Sequence, residues 1–364
     1  MQLPRLLLLF LIFPASVCFS QTLSWYKCLS GSVDKYPIIM HLHKAGNNYQ
    51  GVYYYTSNQQ PISVTGNDTA IANKIQLIAY GNASGDYESF TFSIDGERAN
   101  GEWRKTATSD ALNFTAVELK DSMLIPFTYV FTEGEFKLKP ALQESPKANY
   151  SAATVWPLVN NAKAGFVKQI IRKAFDKQSS SGDIGAILLK QKKAFFTGYK
   201  KEYANENEKD LKENPFTFNQ DEIKSLTILY QTQKLLTLAN AAYSYTGGAH
   251  GNHGTSYINL NLVTQKKLAL SNVLLQNAKP TLSKLLAKYY RQQRGLNASA
   301  SLKENGLFES KIDATENFYI MGNGIGFVYP PYEIAPYAMG EIDIFIPFTE
   351  LDKYIQPSFR KLIQ

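Results

Sequence analysis

The sequence predicts an α+β protein in two parts. A small all-β barrel or sandwich occupies residues 21–120, and an α+β domain with an antiparallel sheet packed by helices occupies 121–364. Three observations predict this. Residues 22–119 are short β-rich stretches separated by clusters of Gly, Asn, Asp and Ser, the texture of a meander that closes on itself. From about residue 156 the apolar period lengthens to that of helices. Long strand-like stretches then follow, interleaved with further helical patterns.

In the first part, Tyr36–His43 alternates, with Ile38, Met40 and Leu42 on one face. Ala45–Asn48 is a turn, and Tyr49–Thr56 an aromatic strand containing Gly51. Further strands are expected at Pro61–Val64, Lys74–Tyr80, Glu88–Ile94, Gly101–Arg104 and Leu112–Val117, with Trp103 in the core. Ile125–Phe131 reads as a strand and about 139–153, with Pro140 and Pro146, as a connector. Ala162–Lys177 places Phe166, Ile170, Ile171 and Ala174 at helical spacing with Lys168, Arg172 and Lys173 outside. A second helix is expected over Ile184–Asn205. Strands follow at Lys224–Gln233, Lys234–Thr246 and Thr255–Val263, then a tight hairpin to Leu268. Ser271 is expected to cap a short helix, and Lys279–Gln293 is amphipathic through Leu282, Leu285, Leu286 and Tyr289. Strands at Asn317–Met321, Ile325–Tyr329 and Glu341–Pro347 precede a helix over Glu350–Ile355 capped by Thr349.

The 364 residues are 44% hydrophobic and 19% charged, which excludes wholesale disorder. The formal net charge is +7, spread over scattered lysines. Nothing resembles a nucleic-acid-binding motif. Residues 1–20 read as a secretory signal, with Arg5 before the apolar run Leu6–Phe13 and a small-residue exit. That run is shorter than the roughly 20 residues a spanning helix needs, and no later segment approaches that length. The expectation is an exported protein, periplasmic or extracellular, cleaved after Ser20. Val17 is a poor residue directly before a lipid-modified cysteine, which argues against a lipoprotein anchored at Cys18. Cleavage leaves Cys28 alone, unable to form an internal disulfide and expected to be a small buried residue.

The candidate site residues cluster late in the chain. Tyr243–His253 reads YSYTGGAHGNH, and Gly247, Gly248 and Gly251 let the backbone turn between two strands. His250 is expected to bond a nearby backbone carbonyl there. Tyr329-Pro330-Pro331-Tyr332 and Ala335-Pro336-Tyr337 form a stiff aromatic loop that loses little entropy on binding. Tyr329, Tyr332, Glu333, Tyr337 and His250 are the expected ligand-binding residues. The four histidines form two close pairs, His41/His43 and His250/His253. A metal site using both pairs would need the two parts to meet, with Glu333 and Glu341 completing it; no metal and no cofactor is expected, and His41 and His43 are expected to be exposed. Gly322–Gly326 lacks the P-loop lysine and a following helix, so it reads as a turn.

Tyr245–Gly251, Leu268–Leu274, Asn317–Ile320, Phe327–Gly340 and Ile346-Pro347 together resemble a family of extracytoplasmic domains. It is shared by the lysozyme-sensing anti-sigma factor RsiV and the non-catalytic N-terminal region of the peptidoglycan deacetylase PdaC. The resemblance covers roughly residues 125–355. Lys35–Ile38 and Gly51–Tyr55 resemble, more loosely, a small β module of exported proteins in Bacteroidetes-type bacteria. The resemblance implies an exported, non-catalytic binding or sensor-like protein of the cell envelope, its ligand a protein such as lysozyme or a peptidoglycan-derived glycan. The competing expectation is an envelope hydrolase or deacetylase-like enzyme using His250, with Ser244 and Glu333 as partners. No G-x-S-x-G nucleophile elbow occurs.

Overall fold

The structure, a computed structural model, describes residues 24–71, 73–80, 87–179 and 181–363. The expected signal segment, with Cys18, lies outside them. The first part is β1 (Ser24–Val33), β2 (Tyr36–Ala45), β3 (Asn48–Tyr55), β4 (Ile62–Asp68), β5 (Ile75–Tyr80), β6 (Tyr87–Asp95), β7 (Arg98–Arg104) and β8 (Leu112–Glu118). Each strand pairs antiparallel with the next, and β1 pairs with β8 to close a barrel. Closure leaves no unpaired edge. Ile38, Met40 and Leu42 point inward, as their alternation requires, onto Tyr53, Phe90 and Phe114; Trp103 lies in the same core. β1 escapes the sequence pattern because its outward Ser24 and Tyr26 meet the second part, Ser24 donating to the Tyr129 carbonyl at 2.7 Å and Tyr26 packing edge-on against Phe127. Its Gly31 also lies where a Cβ would come within 2.0 Å of the Thr115 carbonyl.

The second part begins with β9 (Phe127–Lys137) and β10 (Lys147–Pro157). The expected connector therefore ends at Pro146, and most of its second half is strand. α1 (Ala162–Phe175), α2 (Ile184–Glu202) and α3 (Glu208–Glu213) follow. Asn161 Oδ1 accepts the Ala164 amide at 2.9 Å and Asp183 Oδ1 the Ala186 amide at 3.0 Å, capping the first two helices. α1 buries Val167, Ile170, Ile171 and Phe175. The chain continues through β11 (Gln220–Gln231), β12 (Leu235–Tyr245), β13 (Asn252–Asn261) and the short β14 (Lys266–Lys267). These make one sheet in the order β14-β13-β12-β11-β10-β9. The antiparallel expectation needs one correction: β10 and β11 run parallel, because three helices carry the chain back between them.

After α4 (Leu270–Val273) and α5 (Lys279–Gln293), a second sheet forms from β15 (Phe318–Ile320), β16 (Gly324–Tyr329) and β17 (Ile342–Pro347). It is followed by α6 (Phe348–Leu351) and α7 (Pro357–Ile363). Ser271 and Thr349 lie inside their helices rather than at the caps. The Ala269 amide is instead taken by Asn272 Oδ1 at 2.9 Å. The glycine-rich stretch is the β15–β16 turn and the start of β16. There Gly326 lies where a Cβ would sit 2.0 Å from the Tyr319 ring and Gly324 where one would sit 2.2 Å from Phe345. Aromatic rings from neighbouring strands lie across both glycines.

The barrel is docked against both sheets. Val52 and Tyr54 on its outer face pack with Leu229, Tyr230, Tyr319 and Phe345. His41 and His43, expected to be exposed, are 2% and 0% exposed at this junction. They do point away from Ile38, Met40 and Leu42, but onto protein rather than water. The Ile228 amide donates to His43 Nε2 at 3.1 Å, so Nδ1 carries the proton and faces the Gln50 carbonyl at 3.3 Å. His41 Nδ1 meets the Tyr26 hydroxyl at 2.8 Å. Cys28 is partly buried opposite His41, and burial pushes its thiol up to about 12, so it is unreactive at neutral pH.

Burial lowers both histidines from the ordinary 6.5 to about 3. A folded value below the unfolded one means the stabilisation is complete above about pH 6.5 and drains away as pH falls towards about 3. We expect the melting temperature to drop between about pH 7.5 and about pH 5.5, a range where carboxylates with ordinary values stay ionised and where the raised Asp343 carboxyl acts with the opposite sign. His43→Gln keeps an acceptor for the Ile228 amide but does not titrate, so it should flatten that slope. An equal slope in the variant would exclude His43 as a source.

Candidate functional site

The β12–β13 hairpin ends in the glycine-rich turn, with Ser244 opposite Asn252 and Tyr243 opposite His253. Gly247 and Gly248 have φ of +79° and +117°. At Gly247 the demand is double, since a Cβ would sit 2.2 Å from the Thr217 carbonyl oxygen. At Gly251 a Cβ would strike the Tyr243 ring, at 2.4 Å. Each of the three expected turn glycines therefore has its own steric reason.

The turn meets the proline-stiffened loop. His250 stacks on Tyr337 with ring centroids 3.9 Å apart and planes 22° from parallel. His250 Nδ1 lies 2.9 Å from the Gly251 carbonyl, which also accepts the Tyr337 hydroxyl at 2.6 Å. His253 meets the same ring edge-on at 5.6 Å, and Tyr332 lies 5.7 Å from it. The predicted carbonyl partner of His250 is present, and the imidazole is exposed. Tyr332 is 58% exposed and holds φ of +71°, a costly conformation for a bulky residue. Its amide donates to the Ala335 carbonyl at 3.0 Å, and the Glu333 amide to Pro330 at 3.1 Å, which fix the loop.

Of the expected binding residues, His250, Tyr332 and Tyr337 come together as one aromatic patch. Tyr329 does not join them: it is 1% exposed, and its hydroxyl donates to the Asp313 carbonyl at 2.7 Å. Glu333 is exposed, but its carboxyl interacts with Thr315 rather than with His250. Ser244 lies on the face of β12 opposite Tyr243, away from this cluster. The two histidine pairs stay apart. His43 meets the sheet at Ile228, opposite Leu238, and His253 lies opposite Tyr243, roughly 17 Å further along β12. Among the described residues no three His, Cys, Asp or Glu side chains converge as a metal site.

Sequence reasoning missed the extension of the patch across the sheet. Strand register aligns Glu133, Ser151, Ile223, Tyr243 and His253 in one lateral row on one face. The adjacent row is Glu135, Asn149, Asp221 and Tyr245. A shallow groove of about 520 Å³ runs over the acidic end of these rows. Ile223 is 46% exposed there, and Asn149 donates to Asp221 at 2.8 Å. Only the pairing of β9 to β13 brings these residues together, and no local spacing signals it.

Barrel, mixed sheet and second three-stranded sheet define a two-part α+β protein, and the comparisons with known families fall on its second part. Residues 143–253, ending at the hairpin tip, match the family described as Deacetylase PdaC. Residues 271–349 match the one described as Protein of unknown function (DUF3298). The chain thus carries a segment matching the PdaC family followed by one matching DUF3298, in line with the resemblance read from the sequence. A crystal structure of a DUF3298 family member from Bacteroides fragilis is similar over 65% of this chain and 97% of that one. Its identity is 20% and its TM-score 0.59, a likeness of fold. A DUF3298 family protein from Pseudomonas aeruginosa aligns over 64% of this chain and 95% of its own, with 18% identity and a TM-score of 0.45. Among curated proteins none matches.

His250→Ala removes one stack and one half-exposed hydrogen bond, so it should cost about 1 kcal/mol. Gly247→Ala should cost more, about 1–3 kcal/mol, and Gly248→Ala less than Gly247→Ala, because no atom lies within 4 Å of its added Cβ. Thermal unfolding of the three variants checks this order; a Gly248 variant less stable than the Gly247 variant would contradict it.

Proposed function

We propose that this is a non-catalytic binding or sensor-like protein of the bacterial cell envelope. Its ligand is a protein such as lysozyme or a peptidoglycan-derived glycan. The observation that carries this reading is the exposed aromatic patch of Tyr332, Tyr337 and His250. Prolines and ring stacking hold it before any ligand arrives. Preformed tyrosines offer apolar area with a polar tip at little entropic cost. The same face continues into carboxylates and amides, which suit a basic or hydroxyl-rich partner. A hydrolase or deacetylase-like use of His250 has less support. Its Nδ1 is committed to a backbone carbonyl, and Ser244 and Glu333 make no hydrogen bond to it among the described residues.

Export accompanies this reading. The mature chain should begin near Gln21, which mass spectrometry of the native protein checks; an intact Met1 would overturn it. For binding, Tyr332→Ala should weaken capture of lysozyme or muropeptides by about tenfold, the typical loss of an interfacial aromatic. It should leave melting nearly unchanged. Undiminished binding in Tyr332→Ala, or substrate turnover lost in His250→Ala, would refute the reading.

A further inference from the structure

A second concavity lies beside β17, between the barrel and the second part. It is a cleft of about 500 Å³. The barrel supplies Asn58, Gln60, Ser63, Thr65 and Glu88; the second part supplies Gln293 and the capping Arg294 at the end of α5, Glu341 just before β17, and Asp343 within it. Pro61, Ile62 and Ile78 give it apolar walls. Polar groups from separate elements thus converge on one space at a domain junction, the usual setting of a small-ligand site.

The side chains of the second part are positioned rather than loose. The Tyr319 hydroxyl, on a residue 1% exposed, lies 3.1 Å from both oxygens of Asp343. Glu341 Oε1 accepts the Thr255 amide. Glu88 accepts the Tyr53 hydroxyl. Arg294 lies over Tyr290 at 5.7 Å and has no carboxylate partner among the described residues. The lining therefore holds three carboxylates against one guanidinium. Burial pushes the Asp343 carboxyl up to about 7, against the lowering effect of the Tyr319 hydroxyl, and the neighbouring Glu341 charge adds to the rise. Its edge is open to cleft water, which softens that shift. A cation in the cleft would offset the burial of Asp343 and hold it ionised.

We propose that this cleft binds an amino sugar, as a single unacetylated hexosamine unit or a short oligomer. The carboxylates take the ammonium, the amides and hydroxyls of Asn58, Gln60, Ser63 and Thr65 take the sugar hydroxyls, and the isoleucines cover the apolar ring faces. This site is separate from the aromatic patch and stands whether or not the patch binds its ligand.

Calorimetric titration of the whole mature protein with a β-1,4-linked glucosamine oligomer tests it. The fully N-acetylated oligomer of the same length and spermidine are the other arms. The amine oligomer should bind at least about tenfold more tightly than either, since one arm lacks the charge and the other the hydroxyls. Asp343→Asn, which keeps the shape, and Thr65→Trp, which fills the cleft from an exposed position, should each weaken it by about tenfold or more. Tyr337→Ala should leave it unchanged while removing patch binding. Absence of binding by the amine oligomer, equal binding of the acetylated oligomer or of spermidine, or full binding by both cleft variants would overturn the proposal.

Discussion

The hydrogen bond from the Ile228 amide to His43 Nε2 is the contact on which the two-part arrangement depends. A backbone donor in the middle of a sheet is ordinarily spent on the neighbouring strand. β11 carries a bulge between Ile228 and Tyr230, where its register against β12 shifts. The bulge leaves that amide for the barrel and places the consecutive residues Leu229 and Tyr230 in one apolar cluster with Val52 and Tyr54. A regular strand would send one of the two to the opposite face. The imidazole must stay neutral to accept this bond, so burial, tautomer and docking are a single constraint. Gln50 reinforces it, bonding the Tyr129 hydroxyl and accepting from Ser225 at 3.3 Å.

Side-chain amides join the two sheets in a similar way. Asn259 donates to the Phe318 carbonyl at 2.8 Å and accepts the Ile320 amide at 3.0 Å, as a strand residue would. Asn317 does the same in reverse, reaching the Thr255 carbonyl at 2.8 Å and accepting the Tyr257 amide at 3.1 Å. Thr237 completes the link by donating to the Ile320 carbonyl at 2.8 Å. β13 and β15 therefore adhere without a shared backbone ladder, and the three-stranded sheet can tilt to form the wall that carries the cleft.

Much of this was legible in the sequence, for identifiable reasons. Lys279–Gln293 was readable as a helix to the residue because its apolar positions all face one core. The barrel was readable through Ile38, Met40 and Leu42, which alternate against its interior. His41 and His43 were misread because alternation reports which face a residue takes, not what covers that face. The first part of β10 reads as connector because its outward Lys147, Asn149 and Ser151 dilute the apolar signal of Tyr150 and Ala152. At the candidate site the glycines and the tyrosine loop were legible as local sequence. The lateral rows through Ile223, Tyr243 and His253 were not, since register between distant strands leaves no local mark. Tyr329 was overcounted because a tyrosine in a proline-rich run looks the same whether its ring faces in or out.

One strand connects the patch, the cleft and the interface. With period two, Glu341, Asp343 and Phe345 all face away from the α5 core into which Ile342, Ile344 and Ile346 point. Glu341 holds the Thr255 amide on the hairpin side, Asp343 stands in the cleft, and Phe345 packs against the barrel cluster. A slip of one residue would exchange all three for isoleucines and bury the two carboxylates. The glycines of β16 guard against that slip. Gly326 pairs with Phe345, and Gly324 leaves room for the Phe345 ring, while Tyr319 crosses Gly326 to reach Asp343. The rings seat only in the native register, so the packing that fixes the barrel's position also aims the carboxylates.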